Sequence, residues 1–485
     1  MRSKEFFNQV LTIVVLGAAL VMTGCSGDEG KESIPVSFLT LSETEIELEA
    51  GDIHVLECIV SPYNADNQRI IWSTSDKSVA TVKDGVVTAV KAGNAIVTAM
   101  ADDNGKTAKC TVTVTGDGGN AGGNNNDGGE ESDIDMDSAV NLSWSGTANC
   151  YIVSKTGVYK FKSVKGNGNT SVGAVSKVEV LWETFGTSVS PEPGELVSAV
   201  SFRDGYIVFQ CHKIFYEGNA VVAAKDAAGN ILWSWHLWFT DLPQSQTYYN
   251  NAGIVMDRNL GATSATPGEV GAIGLLYQWG RKDPFLGSSS ISTASKAAST
   301  LEWPSAVRSN SEYGTIDYAT AHPTTFISGN FSNYDWYYTG SESTDNTRWT
   351  TSDKAKSIYD PCPAGWRVPD GGKNGIWSKA VGATSFNWEF DDSNLGMDFL
   401  GKLGTLSIWY PASGHMNGGA LEGVGQHGLY WSSNNPSGQY EYEANSFVFG
   451  PVLKFGIVYY DINDGQPTSA SFDRDYGFSV RCSRE

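Results

Sequence analysis

The stretch that most constrains this chain is one that cannot fold. Residues 116–136 open with Gly-Asp-Gly-Gly-Asn-Ala-Gly-Gly-Asn-Asn-Asn-Asp-Gly-Gly. Such a run has almost no apolar surface to bury and behaves as a flexible coil, spanning on the order of 25 Å on average. No hydrophobic core can extend across it, so whatever folds on one side folds separately from the other. Composition changes at the same place: 14 of the 15 tryptophans lie after residue 137. The 485 residues therefore hold at least two kinds of protein, and the length allows two to four domains. With 54 glycines and only 18% charged residues, the chain reads as loop-rich β protein rather than helical bundle. A net charge of −21 argues against nucleic-acid binding and against a basic membrane-surface patch.

Residues 1–24 read as a targeting segment. Arg2 and Lys4 precede an apolar run over residues 10–22, and Met-Thr-Gly-Cys25 follows. The run is short for a membrane span. The pattern resembles a bacterial lipoprotein signal, which implies cleavage before Cys25, lipid on its thiol and an outer-membrane location. Ser-Gly-Asp-Glu after Cys25 resembles the acidic export tag of Bacteroidetes surface lipoproteins.

Residues 34–115 alternate apolar and polar side chains in short runs, such as Ala95-Ile-Val-Thr-Ala99 and Cys110-Thr-Val-Thr-Val114. Asp84-Gly85 and Asn104-Gly105 punctuate them. The order Ser61-Pro, Ile71-Trp-Ser-Thr-Ser-Asp76, Ala80-Thr-Val, Asp84-Gly and Gly93-Asn-Ala resembles the group 2 bacterial Ig-like domain, a spacer or adhesion module on cell surfaces. Counting by two places Cys58 and Cys110 on the inward face, as a disulfide or as two separate buried thiols.

Residues 137–245 repeat the β pattern, in Cys150-Tyr-Ile-Val, Tyr206-Ile-Val-Phe-Gln-Cys211 and Ile231-Leu-Trp-Ser-Trp-His-Leu-Trp, among others. A second sandwich is expected, of no recognised family. Trp233, Trp235 and Trp238 suit either a sugar platform or a core or seam stripe, the latter being the commoner use of such a pattern.

The third region, 249–485, is organised around Asp360-Pro-Cys-Pro-Ala-Gly-Trp-Arg-Val-Pro369. Prolines on both sides of Cys362 stiffen the backbone, and a short helix is expected through Ile376, Trp377 and Ala380. Gly274-Leu-Leu-Tyr-Gln-Trp279, Cys362-Pro-Ala-Gly-Trp-Arg-Val-Pro369, Leu429-Tyr-Trp-Ser-Ser433 and Gly477-Phe-Ser-Val-Arg-Cys482 together resemble the Fibrobacter succinogenes major paralogous domain. That domain is similar to the C-type-lectin-like fold, which also houses the formylglycine-generating enzymes. A helix is expected over residues 272–279, then a long polar excursion over 287–353. The fold class expected for the chain is mainly β and multidomain: an Ig-like β-sandwich, a second β-sandwich, then an α+β C-type-lectin-like domain.

Chemistry is sparse. Six histidines, at 54, 212, 236, 322, 415 and 427, show no metal-ligand spacing, and no Walker loop, Gly-x-Ser-x-Gly elbow or His-Glu-x-x-His stretch occurs. Gln466-Pro467 lacks the acidic neighbours of a lectin calcium site. No catalysis, cofactor or metal is expected. Once lipid takes Cys25, parity leaves six cysteines, allocated one pair per domain: Cys58–Cys110, Cys150–Cys211 and Cys362–Cys482. The polar, aromatic interior between residues 433 and 477 resembles the variable segment of diversified lectin-like proteins. Its Asn434, Asn435, Tyr440, Tyr442, Tyr459 and Tyr460, with Trp336, are the expected ligand surface. The expected function is a lipid-anchored surface binding or adhesion protein whose partner is an extracellular glycan or protein. A structural subunit of a surface filament or coat is the alternative, and a formylglycine-generating-type enzyme the outlier.

Overall fold

The structure, a computed structural model, describes residues 34–115 and 134–485 apart from internal stretches, of which 339–347, 434–442 and 450–467 are the longest. The chain divides into two compact units between residues 129 and 130, inside the glycine-rich run. Cys25 lies outside the described residues. No helix among those described is long and apolar enough to cross a membrane.

The first unit is a β-sandwich. One sheet runs Glu45–Glu49, Thr107–Thr115, Gly93–Ala101, Ile70–Thr74; another runs Ile53–Val55, Val86–Ala89, Ala80–Lys83; Phe38–Leu41 pairs with Cys58–Ser61. Alternation does what the sequence implies: along Thr107–Thr115, Cys110, Val112 and Val114 are buried, with Thr111 exposed between the first two. Gly85 and Gly105 take φ of 84° and 71°, a left-handed conformation in which glycine carries no Cβ penalty. Cys58 and Cys110 are free thiols, not a disulfide. Cys58 pairs across to Leu41 on the short two-stranded sheet and stays half-buried, while Cys110 is enclosed in a central strand.

In the second unit, Val140–Asn141, Val158–Lys162, Tyr206–Cys211 and Val197–Arg203 form one sheet. Cys150–Val153, Ile231–Phe239, Gly218–Lys225 and Lys177–Thr184 form another. Their facing sides enclose an aromatic core, where Phe161 stacks on Tyr151 at 4.5 Å and meets Trp235 edge-on at 5.4 Å. Ile134, within the stretch read from the sequence as linker, is buried at the rim of this sandwich.

This sandwich is not free-standing. Along Cys150–Val153, Tyr151 and Val153 face its interior, whereas Cys150 and Ile152 pack into a second core with Trp279, Trp349, Cys362 and Trp431. That alternation corrects the expected Cys150–Cys211 bond. The two sulfurs belong to different cores, and both cysteines are free. The tryptophan stripe divides in the same way. Trp233 and Trp235 serve the sandwich core and Trp238 the seam, its indole N–H donating to the Ala262 carbonyl at 2.9 Å. All three are 1% exposed or less, which removes them as a sugar platform.

Past the sandwich, Gly477–Ser479 is the central strand, pairing with Leu276–Gln278, His415–Asn417 and Gly428–Trp431. Ser483–Arg484 lies between Ile254–Met256 and Trp366–Arg367. The expected helix at 272–279 is instead a single 3-10 turn, Val270–Ala272, followed by the strand Leu276–Gln278. Gly274, at φ 74°, breaks the helical path. The helix Ile376–Val381 forms as expected. Cys362 and Cys482 form a disulfide across 120 positions.

The stiff turn is held by one carboxylate. Asp360 is fully buried and accepts the backbone N–H of Cys362 and of Val368, each at 2.9 Å. Its own carbonyl accepts from the amides of Asn149 and Asn167, on the sandwich side. Lys356 donates to the carbonyls of Cys362, Pro363 and Trp366. Burial pushes the Asp360 carboxyl above its ordinary range, opposed by Lys356 and by the two N–H donors.

Candidate functional site

Of the residues expected to bind ligand, Asn434, Asn435, Tyr440, Tyr442, Tyr459 and Tyr460 lie outside the described residues. Trp336 is described, and it is core. It is 1% exposed, its indole N–H donates to the Trp279 carbonyl at 2.7 Å, and the Arg348 guanidinium sits 4.8 Å from its ring. Arg348 is itself buried and pairs with both oxygens of Asp335, at 3.0 and 2.6 Å. A second guanidinium, from Arg474, lies 3.5 Å from the same carboxylate and 4.3 Å from the Trp279 ring. The polar letters around Trp336 are thus the lining of a buried charge network, in which rings and guanidinium planes stack. No group of three metal-ligating side chains occurs among the described residues.

An open cleft lies elsewhere, built from five separate segments. Its floor is Phe285, Phe326 and Met416, all at most 3% exposed, with Phe285 and Phe326 edge-to-face at 5.2 Å. Phe285 is fixed by paired backbone hydrogen bonds with Leu276, at 2.8 and 2.9 Å, on the strand beside Gly477–Ser479. One wall is Trp303, braced by Phe285 at 6.0 Å and, from the sandwich side, by Trp182 at 5.5 Å. The opposite wall is the turn Gly418-Gly419, with φ of 57° and 86°, joining His415–Asn417 to Ala420–Glu422. Two positive φ values in a two-residue hairpin loop suit glycine. A Cβ on Gly419 would meet that of Ala306 at 3.3 Å, so the hairpin rests close on the loop carrying Ser305 and Ala306.

The enclosed volume is about 340 Å³. This is at the lower end of the roughly 300–1,000 Å³ common for small-molecule sites. Its accessible lining is more polar than apolar, the apolar part lying at the floor. Lys296 is the one charged side chain in the lining. It makes no hydrogen bond or ion pair among the described residues, and partial burial pulls its pKa below the ordinary lysine value. The Trp303 indole N–H is buried without an acceptor. Thr324 and Ser305 add hydroxyls to the rim. Sequence reasoning missed this site because its residues share no local pattern. The one local signal that could have pointed to it is the Gly418-Gly419 pair, which marks a tight turn.

A second polar cluster lies at the seam. The Lys282 ammonium donates to Ser234 Oγ and Asp283 Oδ1, both at 2.6 Å, and Ser234 Oγ donates to Asp283 Oδ1 at the same distance. All three are at most 6% exposed and close on one another, a lock between strand and loop rather than an open site.

The architecture is that of a mainly β, multidomain protein. Residues 35–112 form a bacterial Ig-like domain (group 2). An uncharacterized protein of Clostridium acetobutylicum is 33% identical over 89 residues, 18% of this chain and 9% of that one. The kappa-carrageenase of Pseudoalteromonas carrageenovora is 38% identical over 82 residues, 17% of this chain and 21% of that enzyme. The chain thus spans less than a quarter of the length of either relative. Among solved structures, domains 5–6 of the S-layer protein SbsC align with 42% of this chain and 97% of theirs, at 14% identity and a TM-score of 0.15.

Proposed function

We propose that this chain is a cell-surface binding protein. In this reading lipid on Cys25 anchors it in the outer membrane, the Ig-like domain is the stalk, and the residues beyond the glycine-rich run carry the ligand site. The observation that carries the proposal is the cleft: an open space with an apolar floor and a single unpaired cation in its lining. Ligand entering such a space is an extracellular glycan or peptide side chain. The cleft lining offers one titratable side chain, Lys296, and no acid–base pair, so binding rather than catalysis is the reading.

A C-type-lectin-like assignment for residues 249–485, in the manner of the Fibrobacter succinogenes major paralogous domain, belongs to the same proposal. Supporting it are the final strand Ser483–Arg484 beside the opening strand Ile254–Met256, and the Cys362–Cys482 bond that ties the stiff turn to that end.

The test is retention of the purified chain on glycan and extracellular-protein arrays, with Ala420→Trp as the blocked variant. Ala420 is exposed on the cleft wall, so an indole there fills the opening without entering the core. Wild type should be retained and the variant lost; equal retention of both sinks the cleft as the site. For the anchor, Cys25→Ser should move the protein from the membrane to the soluble fraction. Equal incorporation of labelled palmitate into that variant would refute lipidation at this thiol.

A further inference from the structure

We propose that the cleft takes a carboxylated sugar unit, a uronic-acid-type ring within a glycan, with the carboxylate on Lys296 and the apolar ring face against the wall of Trp303. The inference rests on the binding reading above and adds the ligand's chemistry. Three features select it. The first is charge. A chain of net charge −21 repels anions at long range, yet Lys296, the one charged side chain of this cleft, is a cation without a counter-ion among the described residues. Its exposed ammonium, in the cleft lining, is free to donate a charge-assisted hydrogen bond to a carboxylate.

The second is shape. About 340 Å³ is too much for a single ion and too little for a folded peptide segment, and it suits about one or two sugar rings. The third is the mixture of surfaces. A pyranose has an apolar C–H face and an edge of hydroxyls. Trp303 and the buried Phe285, Phe326 and Met416 answer the first, and Ser305 and Thr324 answer the second. An aliphatic acid would leave the hydroxyl rim unused, and a neutral sugar would leave Lys296 unpaired.

Titration calorimetry on the full chain tests this with three probes: methyl glucuronide, methyl glucoside and benzoate. The glucuronide should bind about tenfold or more tightly than the glucoside, the effect of one added charge-assisted contact. Lys296→Gln should erase that preference, and Lys296→Arg should keep most of it. Lys296 is exposed and unpaired, so unchanged melting of both variants checks that the fold is intact. Equal binding of glucuronide and glucoside overturns the anion preference. Benzoate binding as tightly as the glucuronide overturns the sugar. If no probe binds while array retention is still blocked by Ala420→Trp, this inference fails and the cleft reading stands. If Ala420→Trp is retained like wild type, the cleft reading itself fails.

Discussion

Replacing Asp360 by alanine should unfold the larger unit selectively, and its size can be worked from two hydrogen bonds. The Asp360 carboxylate is the acceptor for the N–H groups of Cys362 and Val368, both buried. Removing it strands two donors where water does not reach, at about 1–3 kcal/mol each. Lys356 keeps its three carbonyl partners in the turn, so its charge is not abandoned. The expected loss is therefore about 2–6 kcal/mol. Asp360→Asn keeps one acceptor oxygen and turns a donor toward the other N–H, so about half the loss should return. Urea unfolding followed by tryptophan fluorescence reads this directly, because 14 of 15 tryptophans lie in the second unit. The Ig-like transition, followed through its lone Trp72 in a variant lacking Cys25, should not move. A change under 1 kcal/mol in Asp360→Ala would refute the reasoning, since it would mean that the turn holds its shape without its internal acceptor.

Opening the Cys362–Cys482 bond releases a closure of 120 positions, worth about 5 kcal/mol on the chain-entropy estimate. Reductant should lower the urea midpoint of the second unit only, and an unmoved midpoint with the bond shown open by mass spectrometry would contradict it. Burial holds His236 at about 3 and His415 and His427 at about 4 in the folded chain, against about 6.5 unfolded. Their contribution is complete above pH 6.5 and is lost as pH falls, toward 4 for His415 and His427 and toward 3 for His236, at up to about 1.4 kcal/mol per unit and histidine. Asp475, pushed up to about 6 by burial, acts in the opposite sense, so the comparison must be with His236→Asn, whose pH profile should be flatter. Asp283→Ala should cost about 3–5 kcal/mol by leaving Lys282 as an uncompensated buried charge, measured by the same unfolding curves.

How much of this could be read from the letters depends on how local the physics is. The strands Cys150–Val153, Val158–Lys162 and Tyr206–Cys211 were legible to the residue, because a short apolar run, or the period-two alternation of Val158–Lys162, is a property of adjacent positions. The disulfide was legible because a stiff turn carried a cysteine with one partner in its half of the chain. The helix expected at 272–279 failed because an apolar run alone does not separate helix from buried strand, and Gly274 decides it. Trp336 was misread as surface because Asp335 and its neighbours look solvated; the arginines that bury them lie at 348 and 474, out of local view. The side of the strand that Cys150 faces was equally hidden, since both sides of that sheet are covered.

The shared core of sandwich and C-terminal region governs how this chain can be shuffled by recombination. A break near residue 245 would leave Trp182 and Trp238 on one fragment and Trp279 and Trp349 on the other, each ring losing cover. At about 150–250 Å² per ring, the bared surface exceeds what a soluble protein ordinarily tolerates. The glycine-rich run, by contrast, can be cut and rejoined without touching a core. Recombination could thus exchange the second unit only as one cassette beginning just before Ile134.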